Sequence, residues 1–98
     1  MAEYEPLRKG IQVKHLAKSA EKGVQIDILK IEPNWIDEGH YHGDFEWVYI
    51  LEGEMQDEKG LHKKGDFLVN ETGILHQPRS KEGCLLLIVW SGKVTHGK

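Results

Sequence analysis

The sequence has one cysteine, Cys84, in 98 residues. A lone thiol excludes an intrachain disulfide framework. There is no basic block: 13 lysines and arginines are interspersed with 16 aspartates and glutamates, giving a formal net charge of −3. Without clustered cations to meet phosphates, no nucleic acid partner is expected. Long apolar runs are also missing. The longest, Cys84 to Trp90, is too short to span a bilayer, so no membrane association is expected. The opening Met1-Ala2-Glu3-Tyr4-Glu5 is acidic and polar, whereas a secretory signal needs basic residues and then an apolar stretch. A cytoplasmic location follows as the expectation. Helix signals are few: only Ala17 to Lys22 reads as a helical turn, stopped by Gly23.

Apolar residues make up 39% and charged residues 30%, the balance of an ordinary globular domain rather than a disordered chain. The length suits one domain, 1–98, with a core at about 7–91 and a polar tail at 92–98. A domain this small buries only roughly two-thirds of its unfolded surface, so a bound metal or a second copy would add usefully to its stability.

Short alternating segments separated by glycine turns predict an all-β sandwich or barrel. The first strand is expected near Ile11, where Ile11 and Val13 alternate with Gln12 and Lys14. Val24, Ile26 and Ile28 alternate with Gln25 and Asp27, after which Leu29 and Ile31 continue on the other parity. Such a slip predicts either a β-bulge near Ile28-Leu29 or burial of both faces. Phe45 to Leu51 is the strongest strand, closed by Glu52-Gly53. Asp57-Glu58-Lys59-Gly60 and Gly65-Asp66 read as turns. Cys84 to Trp90 is apolar on both parities, which predicts that both faces are covered.

His40-Tyr41-His42 places two imidazoles at i and i+2, on one face of a strand, where they can converge on one ion. On a straight strand Glu46 would lie about 13 Å beyond His42, at roughly 3.3 Å per residue. It joins the pair only if the chain reverses, and Gly43-Asp44 is a credible reversal. Val48 and Ile50 share the parity of Glu46 and would line the interior beneath it. His76, after Gly73, is the fourth candidate. Three imidazoles and a carboxylate suit iron, zinc, manganese, nickel or copper better than calcium or magnesium. His15, His62 and His96 read as structural or surface residues, and Cys84 as a small core residue.

The frame around these residues resembles the cupin superfamily. Its first motif, G-x5-H-x-H-x3-4-E-x6-G, is matched at Asn34, His40, His42, Glu46 and Gly53, with Asn34 in place of glycine. Asparagine tolerates positive φ better than other side chains, so the turn survives. The second motif, G-x5-P-x-G-x2-H-x3-N, is matched at Gly65, Gly73 and His76, with Glu71 for proline and Ser80 for the last asparagine. Within the superfamily the chain is similar to the ChrR-like group, which includes zinc-binding anti-sigma factor cupins and diketone-cleaving dioxygenases. That likeness rests on Pro6-Leu7, Gly10-Ile11, Val13, Tyr49 to Gly53, Asp57-Glu58, Gly60, Gly65-Asp66, His76-Gln77-Pro78, Ser80 and Gly83-Cys84. Many relatives carry a second glutamate where this chain has Trp47.

The resemblance implies a single-domain cupin, an RmlC-like jelly-roll β-barrel. It would bind one divalent transition metal per chain (iron, zinc, manganese or nickel) through His40, His42, Glu46 and His76. The implied activity is that of a dioxygenase-like enzyme on a small carbonyl or enol compound, in an interior lined by Val48, Ile50, Phe67 and Val69. The competing reading is a metal-dependent sensory or ligand-binding cupin; a metal-free epimerase is disfavoured by the complete ligand set. Phe45, Trp47, Tyr49 and Leu51 occupy the outward parity of one strand, which predicts a homodimer through that face. Coverage by the segment around Leu7, Ile11 and Val13 is the alternative.

Overall fold

The computed structural model describes residues 3–19, 21, 23–37, 46–70 and 77–91, and the backbone alone at 40–41 and 75–76. Every regular element among them is a β-strand. In chain order these are β1 (Glu5–Arg8), β2 (Ile11–Ser19), β3 (Val24–Ile31), β4 (Trp35–Ile36), β5 (His40–Tyr41) and β6 (Glu46–Asp57). They continue with β7 (Gly60–Lys63), β8 (Phe67–Asn70), β9 (Leu75–His76), β10 (Arg79–Ser80) and β11 (Cys84–Ser91). The main sheet has nine strands in the order β1-β2-β3-β11-β6-β10-β4, with β7 and β8 also paired to β6. It curls into a half-barrel, and β5 pairs with β9 separately.

The interior is apolar at one end. Ile11, Val13, Leu29, Ile31, Val48, Ile50, Met55, Leu68, Cys84, Leu86 and Ile88 form one buried cluster. The alternation Glu46, Val48, Ile50 is buried as its parity requires, at 5%, 2% and 0% exposure. On β11 the inward Cys84, Leu86 and Ile88 are buried, and Leu85, Leu87 and Val89 are half-buried.

Several local expectations change. A strand precedes the expected first one: β1 begins at Glu5 and pairs with β2. Ala17 to Ser19 is not helical but continues β2 against Ile26, Gln25 and Val24, because ladder pairing overrides a weak local preference. Residues 20 and 22 of that predicted turn lie outside the described residues. The bulge sits in β2, between His15 and Ala17, and not at Ile28-Leu29. The inward residues of β3 are Gln25, Asp27, Leu29 and Ile31, so Val24, Ile26 and Ile28 take the half-buried outer face.

Gly53 does not close β6 but bends it. Its N-terminal half pairs with β11 and β8, and its C-terminal half with β7 and β10. Gly53 has φ of 80°, and a Cβ there would lie 2.2 Å from the Gly83 carbonyl oxygen. Asn34 also has positive φ, at 63°, which suits its place in the motif's glycine position.

Candidate metal centre

Three of the four expected ligands, His40, Glu46 and His76, stand on β5, β6 and β9. β4 and β10 form a narrow ribbon, with Trp35 opposite Ser80 and Ile36 opposite Arg79. The Asp37 amide donates to the Pro78 carbonyl at 3.0 Å, which carries the ribbon toward β5 and β9. There His40 and His76 are direct cross-strand partners, although 36 residues apart in sequence. Arg8 forms an ion pair with buried Asp37, at 3.1 Å, where β4 ends. Ser80, at the motif's asparagine position, is buried and donates to the Glu54 carbonyl at 2.6 Å, fastening β10 to β6.

Glu46 opens β6, between Trp90 of β11 and Asn70 of β8 in register. Its side chain is buried, and Oε1 accepts a 2.7 Å hydrogen bond from the Asn70 amide. Desolvation raises its pKa from 4.5 to about 7, against smaller lowering effects of Asn70 and the Arg8 charge. A carboxylate sunk this far is costly as an isolated anion, and a divalent cation offsets that cost. The donor chemistry therefore fits a metal. His42 lies outside the described residues. Among the described residues no group of three or more His, Cys, Asp or Glu is placed to hold a metal ion, and Glu46 is the one expected ligand whose side chain is described.

The shift at Glu46 sets a pH dependence for the metal-free protein. Between pH 4.5 and about 7 the folded chain keeps a proton that the unfolded chain releases, so stability falls as pH rises through this window. The full difference is about 3 kcal/mol at 1.36 kcal/mol per pKa unit. Urea midpoints of chelated protein are expected to be lower at pH 8 than at pH 5, and Glu46→Gln should remove most of the gap. Equal gaps in the two proteins would refute this.

The expected lining is half corrected. Val48 and Ile50 are buried beneath Glu46 on the same parity. Phe67 is 61% exposed, and Val69 shares its outward parity; Leu68 and Asn70 take the buried positions of β8. Of the expected interface residues, Trp47 is half-buried and Tyr49 is 38% exposed, while Phe45 lies outside the described residues. Sequence reading missed Asn70, the partner of Glu46, and the buried polar residues Gln25 and Asp27. Cys84 is buried, and burial pushes its thiol up to about 11, which makes it an unreactive core residue.

Residues 1–95 match the family described as the ChrR Cupin-like domain. The chain belongs to this family. No curated protein matches the sequence. Among solved structures, the family member resembles a putative acetylacetone dioxygenase from Methylibium petroleiphilum PM1, with a TM-score of 0.85 and 16% identity, covering 99% of this chain and 76% of that one. It is similar to an RmlC-like cupin from Ralstonia eutropha JMP134, with a TM-score of 0.82 and 18% identity, covering 93% and 64%. It is also similar to a chain in the complex of Rhodobacter sphaeroides SigE with the anti-sigma ChrR, at 0.81 and 21%, covering 91% and 49%. The chain thus spans less than two thirds of the last two, and all three likenesses bear on the fold alone. Among the described residues no helix is long and apolar enough to cross a membrane.

Proposed function

We propose that this cupin is a mononuclear metal-dependent enzyme, with His40, His42, Glu46 and His76 as ligands, acting on a small carbonyl or enol compound. The observation that carries the reading is the buried Glu46 carboxyl, set at the head of an inward row that continues through Val48 and Ile50. A bound divalent ion, iron for an oxygenase, would polarise substrate oxygens as a Lewis acid. The chain supplies the surroundings. Asn70 fixes one oxygen of Glu46, and Val48, Ile50, Leu68 and Ile88 keep the wall behind it apolar. A low-polarity wall strengthens charge interactions in front of it.

The likeness to acetylacetone dioxygenase structures suggests a β-diketone as the first compound to try. Protein purified from its native host is expected to hold about one equivalent of iron and to consume oxygen with acetylacetone. Stoichiometric zinc without oxygen uptake would overturn the oxygenase and favour the sensory cupin.

The same fold supports a homodimer. The outer face of the sheet carries two apolar rows in register: Ile28, Leu87, Tyr49 and Phe67, then Ile26, Val89, Trp47 and Val69. The N-terminal segment does not cover them, since Ile11 and Val13 belong to the core and Leu7 packs against it. A continuous apolar patch with exposed aromatics is typical of a contact surface. Light scattering is expected to give about twice the single-chain 11.2 kDa, and Phe67→Lys, at an exposed position, should shift the mass to the monomer. A wild-type mass of one chain would rule the dimer out.

A further inference from the structure

The ribbon that carries two of the expected ligands stands apart from the main sheet. Among the described residues β5 and β9 pair only with each other, His40 opposite His76. A two-stranded ribbon is marginal on its own, so what fastens it decides how firmly its residues are held. One fastening is the β4–β10 ladder, which runs into the ribbon through the bond from the Asp37 amide to the Pro78 carbonyl. A second comes from the opposite side, from the turn between β6 and β7.

In an antiparallel strand the backbone groups of successive residues point to alternate edges. The Pro78 carbonyl faces β4, so the backbone groups of Gln77 and Arg79 face β6, where Arg79 is the register partner of Gln56. Two residues further along that register, Gln77 comes opposite Glu58. By then β6 has ended, at Asp57, and the chain turns back into β7 at Gly60. The Glu58 side chain replaces the missing backbone carbonyl: its Oε2 accepts a hydrogen bond from the Gln77 amide at 2.6 Å. An ionised acceptor makes such a bond shorter and about twice as strong as a neutral one. The bond falls one residue from His76.

The turn is itself braced. Asp57 Oδ1 accepts a hydrogen bond from the Lys59 amide at 2.9 Å and lies 2.8 Å from Nε2 of His62. Lys59 Nζ donates to the Val69 carbonyl at 2.8 Å. Val69 precedes Asn70, whose side-chain amide holds Glu46. One turn thus reaches both the segment of His76 and the strand that supports Glu46. Glu58 and Lys59 are exposed, so core packing does not explain their placement.

We propose that Glu58 is a positioning residue for the metal centre: its bond to the Gln77 amide fixes the backbone at His76 relative to Glu46. The role rests on the metal-dependent reading above, with His76 and Glu46 as ligands. Lys59 anchors the turn from which Glu58 acts.

The experiment uses the whole chain loaded with zinc or cobalt(II). Glu58→Ala is expected to bind zinc at least about tenfold more weakly in chelator competition, as when other residues that orient metal ligands are removed. Its cobalt form should also change its visible absorption, which reports the arrangement of the ligands. Glu58→Gln keeps an acceptor oxygen at the same reach, and should recover most of the affinity and the wild-type spectrum. Wild-type affinity and spectrum in Glu58→Ala overturn the inference. So do equal losses in Glu58→Ala and Glu58→Gln, since the charge and not the bond would then matter. A lower melting temperature of metal-free Glu58→Ala with an unchanged cobalt spectrum makes the bond merely structural and overturns it too. Each of these leaves the metal reading intact. A wild-type chain that binds neither zinc nor cobalt overturns the metal reading, and with it the role given to Glu58.

Discussion

His76→Ala protein is expected to purify folded but with less than a tenth of the metal found in wild type. Removing one of four ligands should cost at least about a hundredfold in affinity, since even the residues behind metal ligands cost 10–100-fold. Stability should follow. A ligand that binds only the folded chain contributes about 2.7 kcal/mol at a hundredfold excess over its Kd. In a domain of 98 residues that corresponds to roughly 10–20 °C in melting temperature. Wild type should therefore melt lower after chelation, and His76→Ala should melt near that lower value with or without added metal. Tight, stoichiometric metal in the variant would remove His76 from the ligand set. An unchanged wild-type melting temperature after chelation would break the link between metal and stability.

Gly53→Ala is expected to be the most damaging glycine-to-alanine substitution among the described residues. Its φ of 80° belongs to glycine, and a Cβ would meet three backbone atoms of the Gly83–Cys84 peptide: the Gly83 carbonyl oxygen at 2.2 Å, Cys84 Cα at 2.8 Å and the Gly83 carbonyl carbon at 3.1 Å. Backbone cannot rotate aside as a side chain does. The strained φ alone costs about 1–3 kcal/mol, and overlap with β11 adds to it. That sum is a large share of the margin of a small domain. The variant should lose cooperative unfolding or move its urea midpoint far below wild type. Gly60→Ala is the control: nothing lies within 4 Å of its Cβ, so its cost is confined to φ. Equal stability of the two variants would show that the close approach of β6 to β11 is not needed.

Much of this was legible in the sequence. The inward parity of Glu46, Val48 and Ile50 follows from alternation alone, and the turns at Asp57–Gly60 and Gly65-Asp66 follow from residue type. The motif spacing put His40 and His76 among four expected ligands on separate segments, and that β5 and β9 pair with these two residues opposite each other was not written in the spacing. What stayed hidden has a common cause. In β3 and β8 apolar residues occupy both parities, so hydrophobicity cannot tell inside from outside. The outward assignments of Val24, Ile26, Phe67 and Val69 depend on which neighbours each strand meets. The burial of Gln25 and Asp27 is hidden for the same reason. Their burial makes sense only beside His15 and Trp90, the latter 63 residues further along the chain.

The place of β11 also governs when the protein can fold. This strand occupies residues 84–91 yet sits between β3 and β6, joining the two halves of the sheet. A chain still emerging from the ribosome has both flanking strands but not the one that bridges them. Their apolar edges stay open until residues 84–91 are available. Folding of the sheet is thus dominated by distant pairings and slow for a domain of this size. The exposed edges of β3 and β6 are the aggregation hazard of that interval.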